Sequence, residues 1–120
     1  MIIHAEEVFP EEACGILSGK GERVSHIFKM TNVEHSPVSY LMDSREQFLV
    51  MKEMREKGLD MLGIYHSHTG SDAYPSSKDI NLAFYDVAYV IVSLARESPV
   101  VKAYRIKEQK EVREIELIIE

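Results

Sequence analysis

The segment Leu59–Ser67 is apolar for most of its length and then turns into Tyr65-His66-Ser67-His68. A short apolar run of this kind reads as a strand. It is buried on the sheet side and carries two histidines to its C-terminal end. No other feature restricts the fold as much, because such a strand needs a sheet around it and helices to cover that sheet. Ser44–Lys57, just before it, is the clearest helix in the chain. Ser44 with Gln47 three residues on forms a capping-box pattern. Phe48, Met51 and Met54 recur at helical spacing as a core-packing stripe, widened by Leu49 and Val50, and Gly58 sits where a helix stops.

The remaining elements follow from the same reasoning. Ile2–Phe9 is a short helix closed by Pro10, and Cys14–Gly19 and Arg23–Phe28 are strands joined by a turn at Gly19-Lys20-Gly21. Met30–Pro37 is a polar connection, and Val38–Met42 reads as a short extended piece. After the histidines comes a Gly-, Ser-, Asp- and Pro-containing loop, Thr69–Pro75, then a helix from Ser76 or Ser77 to about Tyr85. Val87–Leu94, Val100–Ile106 and Val112–Ile119 are three further strands. The expected fold class is α/β (α+β), a mixed β-sheet flanked by helices, in a single domain spanning residues 1–120.

Composition narrows the function classes. The balance of 14 basic and 20 acidic residues, net −6, disfavours broad nucleic-acid binding, which needs a basic face to displace counterions. The one cysteine, Cys14, allows no internal disulfide and fits a reducing compartment. Met1-Ile2-Ile3-His4-Ala5-Glu6-Glu7 turns acidic at once, unlike a signal peptide, and no apolar stretch approaches the length of a membrane span. The expectation is a soluble, cytoplasmic protein. Cys14 reads as a small buried residue, and His4, His26 and His35 as surface residues.

His66 and His68 stand two apart on a strand, so they share a face with Cα atoms about 6.5–7 Å apart. Both imidazoles can then converge on one zinc ion. Asp79, eleven residues after His68 and across the loop, sits in the first turn of a helix and can reach the same metal. Two His and one Asp leave a fourth tetrahedral position for water, the arrangement of a catalytic zinc. Ser76-Ser77-Lys78-Asp79 is equally a capping-box pattern, and the two roles are compatible. Glu12 in Pro10-Glu11-Glu12-Ala13-Cys14-Gly15 cannot be singled out by spacing among twenty acidic residues. On its own it reads as a solvated turn carboxylate.

Glu12-Ala13-Cys14-Gly15, then His66-Ser67-His68, then Ser76 and Asp79 resemble the motif of the JAMM, or MPN-plus, metalloproteases. That motif is a glutamate in an E-x-C-G-like segment, then H-S-H, seven residues, Ser, two residues, Asp, and every spacing is kept. Gly63-Ile64-Tyr65, Ala73-Tyr74-Pro75-Ser76 and Val90-Ile91-Val92-Ser93-Leu94 also look familiar, and the resemblance covers nearly the whole chain. Thr69 stands where the family usually has proline.

The resemblance implies a cytidine-deaminase-like MPN/JAMM fold and one Zn2+ per chain held by His66, His68 and Asp79. It implies Glu12 as the general base toward the zinc-bound water, then as the acid toward the departing amine, and Ser76 as a donor to the developing oxyanion. A nucleophilic Cys14 is disfavoured, since this mechanism needs no covalent intermediate. The implied partner is a ubiquitin-like or sulfur-carrier protein whose C-terminal Gly-Gly tail lies extended along a strand edge. No nucleic acid or membrane is implied, and the oligomeric state stays open, a homodimer included.

Two other functions compete: a non-catalytic MPN-type protein-binding module, and a small-peptide or cysteine-adduct zinc hydrolase. The H-E-x-x-H of zincins and the P-C-x-x-C of zinc deaminases are both absent from the sequence.

Overall fold

The computed structural model describes residues 1–118. The elements are α1 (Ile2–Val8), β1 (Cys14–Lys20), β2 (Arg23–Met30), α2 (Ser44–Glu56), β3 (Asp60–His68), α3 (Ser77–Asn81), β4 (Ala88–Ser93), β5 (Val100–Lys107) and β6 (Glu111–Ile115). Their order is the one the sequence predicts. All six strands form one sheet in the order β2-β1-β3-β4-β5-β6. β3 and β4 are parallel, joined by the crossover through α3, and the other neighbouring pairs are antiparallel. The mixed sheet with helices is the expected fold class.

Strand alternation divides the core between the two faces. Leu17, Tyr65, Val90 and Ala103 lie on one face, continued by a cluster of Ala5, Ala13 and Val92 under α1. Cys14, Ile16, Ile64, Tyr89 and Ile106 lie on the other, packed with Met54, Val50 and Met51 of α2. His66 and His68 belong to this second face, at the end of the central strand. Cys14 is buried, as expected.

The helix starts and ends depart from expectation in instructive ways. Asp43, not Ser44, caps α2: its carboxylate accepts the Glu46 N–H at 2.9 Å, and Ser44 is the first helical residue. The buried stripe of α2 runs through Val50, Met51 and Met54, whereas Phe48 is exposed. At about 100° per residue Phe48 lies nearly opposite Val50, so one helix face cannot bury both. α3 ends at Asn81 rather than near Tyr85. The Tyr89 hydroxyl takes the Tyr85 N–H at 3.0 Å and donates to the Tyr85 carbonyl at 3.2 Å, which holds that backbone in a turn. Val38–Met42 forms no strand, only a bridge between Met42 and Asn32. β6 ends at Ile115, and Ile119 lies outside the described residues.

His4 is buried rather than at the surface. Its Nδ1 and the Tyr65 hydroxyl are 2.7 Å apart beneath α1. Gly15 makes this contact possible, since a Cβ there would lie 2.2 Å from the Tyr65 ring. Among the described residues no helix is long and apolar enough to cross a membrane.

Candidate metal centre

The loop after β3 is tied down at several points. The Leu94 N–H donates to the His68 carbonyl at 2.9 Å, and the Ser93 hydroxyl to the Ser71 carbonyl at 2.7 Å. Ala73 is buried against Ile91 and Tyr104, whose hydroxyl donates to the Ala73 carbonyl. Ser76 then starts α3 with a complete capping box. Its hydroxyl accepts the Asp79 N–H at 3.1 Å, and the Asp79 carboxylate accepts the Ser76 N–H at 2.9 Å. This box aims Asp79 back at β3.

Three ligand-type atoms converge there. His66 Nε2 and His68 Nε2 are 3.1 Å apart, and Asp79 Oδ2 lies 3.1 Å from the first and 3.0 Å from the second. Both histidines are buried, and Asp79 is largely so. The three sequence-predicted ligands are therefore brought together. Ser76 stands one helical turn away, and its capping role is the one observed.

The donor chemistry fits a cation. His68 Nδ1 is 2.8 Å from the Asp72 carbonyl, which can only accept, so Nδ1 carries the proton and Nε2 of the neutral ring is a lone pair. A lone pair 3.0 Å from a carboxylate oxygen is repulsive unless a cation or proton lies between them. Four-coordinate zinc with bonds of about 2.0–2.2 Å has ligand atoms roughly 3.3–3.5 Å apart, close to the spacing here. Burial disfavours the proton at His66 and keeps that ring neutral. At His68 burial acts the same way, but with no metal bound the Asp79 carboxylate and the Asp72 carbonyl outweigh it and favour a second proton, on Nε2, raising the pKa, so that proton and a cation compete for the same position. Burial likewise pushes the Asp79 carboxyl up, but the two histidines and the Ser76 N–H hold it well below the usual carboxylate range.

Glu12 reaches the same place through sheet register. Cys14 pairs with His66 in the antiparallel β1–β3 ladder. Continuing that register sets Glu12 opposite His68 and on the same face. Glu12 is buried, and its carboxyl is pushed up to about 7, first by that burial and then by the charge of Asp79, with His68 opposing. The solvated-turn reading of this residue is thereby replaced.

Three further residues, to which the motif assigns no role, shape the site. Ser67, fully buried between the histidines, points to the opposite face. Its hydroxyl accepts the Ala13 N–H at 2.7 Å, while its N–H donates to the Ala13 carbonyl at 3.0 Å. Tyr40 lies over the His66 ring, centroids 4.7 Å apart and planes within 23°. His66 Nδ1 has no hydrogen-bond partner among the described residues, so on that side of the ring the Tyr40 stack is the contact that bears on its orientation. Thr69 donates its hydroxyl to the Pro37 carbonyl at 2.8 Å and so joins the loop after β3 to the segment between β2 and α2.

Comparison with known proteins places this geometry. The family described as prokaryotic homologs of the JAB domain matches residues 1–107. The chain is 44% identical over 96 residues to the CysO-cysteine peptidase of Mycobacterium tuberculosis, covering 78% of this chain and 66% of that one, just under two-thirds of the relative's length. It is 32% identical over 110 residues to a desampylase of Pyrococcus furiosus, covering 91% and 76%. The solution structure of protein DSY2949 from Desulfitobacterium hafniense superposes with a TM-score of 0.88 at 40% identity, covering 100% and 86%.

Proposed function

The chain belongs to the prokaryotic homologs of the JAB domain, and on that footing we propose that it is a zinc-dependent peptidase that hydrolyses an amide bond at the C-terminal tail of a ubiquitin-like or sulfur-carrier protein. The observation that carries this reading is the convergence of His66, His68 and Asp79 within 3.1 Å, with the His68 lone pair turned inward by the Asp72 carbonyl. The relatives named as a CysO-cysteine peptidase and a desampylase support the substrate class.

His66, His68 and Asp79 would hold the metal. Bound zinc supplies Lewis acidity toward water and the scissile carbonyl. The chain's own groups do the rest. Glu12, buried and with its carboxyl near 7, accepts the proton of the attacking water and returns it to the departing amine. The Ser76 oxygen is engaged by the Asp79 N–H, so its O–H remains available to donate to the carbonyl oxygen as negative charge develops.

The test has two parts. Elemental analysis should find about one zinc per chain in the wild type and little in His66→Ala. A Gly-Gly-tailed sulfur-carrier protein joined through an amide to lysine or cysteine should be cut, with activity abolished by chelator and restored by zinc. No metal after challenge with zinc would favour the binding-module function. Equal cleavage of a short Gly-Gly peptide would favour a small-peptide hydrolase.

A further inference from the structure

The buried amide of Asn32 makes four hydrogen bonds, all to backbone. Its Nδ2 donates to the Glu12 carbonyl at 3.1 Å and the Ser39 carbonyl at 3.0 Å. Its Oδ1 accepts the N–H groups of Glu34 and Leu41, each at 3.1 Å. Carbonyls only accept and amide N–H groups only donate, so the orientation of this side chain is fixed by its partners. Both of its N–H bonds and both lone pairs are used, and the residue is 6% exposed.

The place of this amide in the ladder explains its role. Backbone pairing of β1 with β2 ends at Cys14 and Met30. Two more residues of the same register would set Glu12 opposite Asn32. The Asn32 backbone leaves the ladder there and bridges Met42 instead. Its side chain supplies the rung that the backbone has vacated. The other polar backbone group of Glu12, its N–H, donates to the Ser36 carbonyl at 2.8 Å, in the segment that Asn32 folds. Ser39 and Leu41, two of the four partners, flank Tyr40, the ring over His66.

We propose that Asn32 is a positioning residue: its amide sets Glu12 and Tyr40 together against the His66, His68 and Asp79 cluster. The proposal rests on the reading of Glu12 as the proton carrier. It assigns Asn32 no contact with substrate. Its effect on turnover passes through Glu12, and its effect on the cluster through the Tyr40 ring.

Asn32→Asp is the informative variant. It keeps the shape and the two accepted bonds but removes both donors, setting a carboxylate against the carbonyls of Glu12 and Ser39. Zinc-loaded wild type and variant are compared with the carrier conjugate, alongside amide hydrogen exchange. The expected result is unchanged zinc stoichiometry, KM within about threefold and kcat lowered at least about tenfold. Exchange at the Glu12 amide should be faster by about tenfold or more, while the Leu17 amide in mid-β1 stays protected. A merely structural loss would expose both amides and move zinc content with activity.

Unchanged Glu12 exchange, or faster exchange with kcat intact, overturns the proposal. Asn32→Ser, small and uncharged, carries the same comparison if the aspartate variant does not fold. Failure of the functional reading shows elsewhere, as a wild type that cuts no carrier conjugate. Exchange at Glu12 then still decides whether Asn32 holds it.

Discussion

The ring of His68 is held by the backbone of Asp72, Nδ1 to carbonyl oxygen at 2.8 Å, and that one contact decides which nitrogen faces Asp79. A metal-ligating histidine needs its other ring N–H engaged to fix tautomer and orientation. Here a backbone group does this, so no side-chain substitution at position 72 removes it. The Asp72 carboxylate is free of that duty and sits 3.3 Å from Arg96 at the surface.

Asp79→Asn should weaken zinc binding at least about 100-fold. The variant keeps a carbonyl oxygen for the Ser76 N–H, so the capping box survives in part, but it loses the anion that balances the metal. Competition with a chromogenic chelator measures this. Equal affinity in wild type and variant would take Asp79 out of the ligand set.

Glu12→Gln should keep zinc and lose about 100-fold or more in turnover, because on the proposed roles the ligands remain while the proton carrier is gone. In metal-free protein the same substitution has a pH signature. The folded Glu12 carboxyl is raised from 4.5 to about 7, so the folded state binds the extra proton between those values. Wild-type stability therefore falls as pH rises through that window, and the cost is complete above about 7. Glutamine never ionises. The metal-free variant should be more stable than wild type at pH 8 by on the order of 2 kcal/mol, with the gap closing toward pH 4.5. Urea unfolding after chelation checks it, and a pH-independent difference would contradict the burial of this carboxyl.

The three proposed ligands could be read in the sequence because their geometry is local. His66 and His68 share a strand face by periodicity alone, and Asp79 is aimed by a capping box written in four consecutive residues. Glu12 is different. Its approach to His68 depends on antiparallel register between strands far apart in the chain, which no spacing rule specifies, and only the family resemblance pointed to it. Ser67, Tyr40 and Asn32 were illegible for a related reason. Each acts through a single side chain on a residue far along the chain, Ser67 on Ala13, Tyr40 on His66 and Asn32 on Glu12, and none belongs to a periodic pattern. Phe48 misled because its spacing to Met51 is helical, although the buried face is centred on Val50 and Met54.

Ser67→Ala tests how the middle residue of His-Ser-His supports Glu12. The substitution removes the acceptor for the Ala13 N–H inside a fully buried pair, leaving a donor with no partner. The expected loss is about 1–3 kcal/mol in urea unfolding. Activity should fall further than the folded fraction does, since Ala13 adjoins Glu12. A variant as stable as wild type would show that the Ala13 N–H finds another partner.

Gly15→Ala probes the glycine of the E-x-C-G-like segment, where the cause is close approach rather than backbone freedom. An added Cβ would lie 2.2 Å from Tyr65 Cε1 and 2.5 Å from its hydroxyl oxygen. The ring cannot simply move aside. It is buried with Leu17, Val90 and Ala103, and its hydroxyl is 2.7 Å from His4 Nδ1. Overpacking of a filled core costs about 1–3 kcal/mol, and displacing the hydroxyl also strips a buried histidine of its partner, about 1–3 kcal/mol more. The expected fall in urea stability therefore exceeds that of Tyr65→Phe, which loses the hydroxyl but keeps the packing. If Gly15→Ala proves no more harmful than Tyr65→Phe, the backbone of β1 yields readily at this point, and Glu12, three residues upstream, is less rigidly placed than the ladder implies.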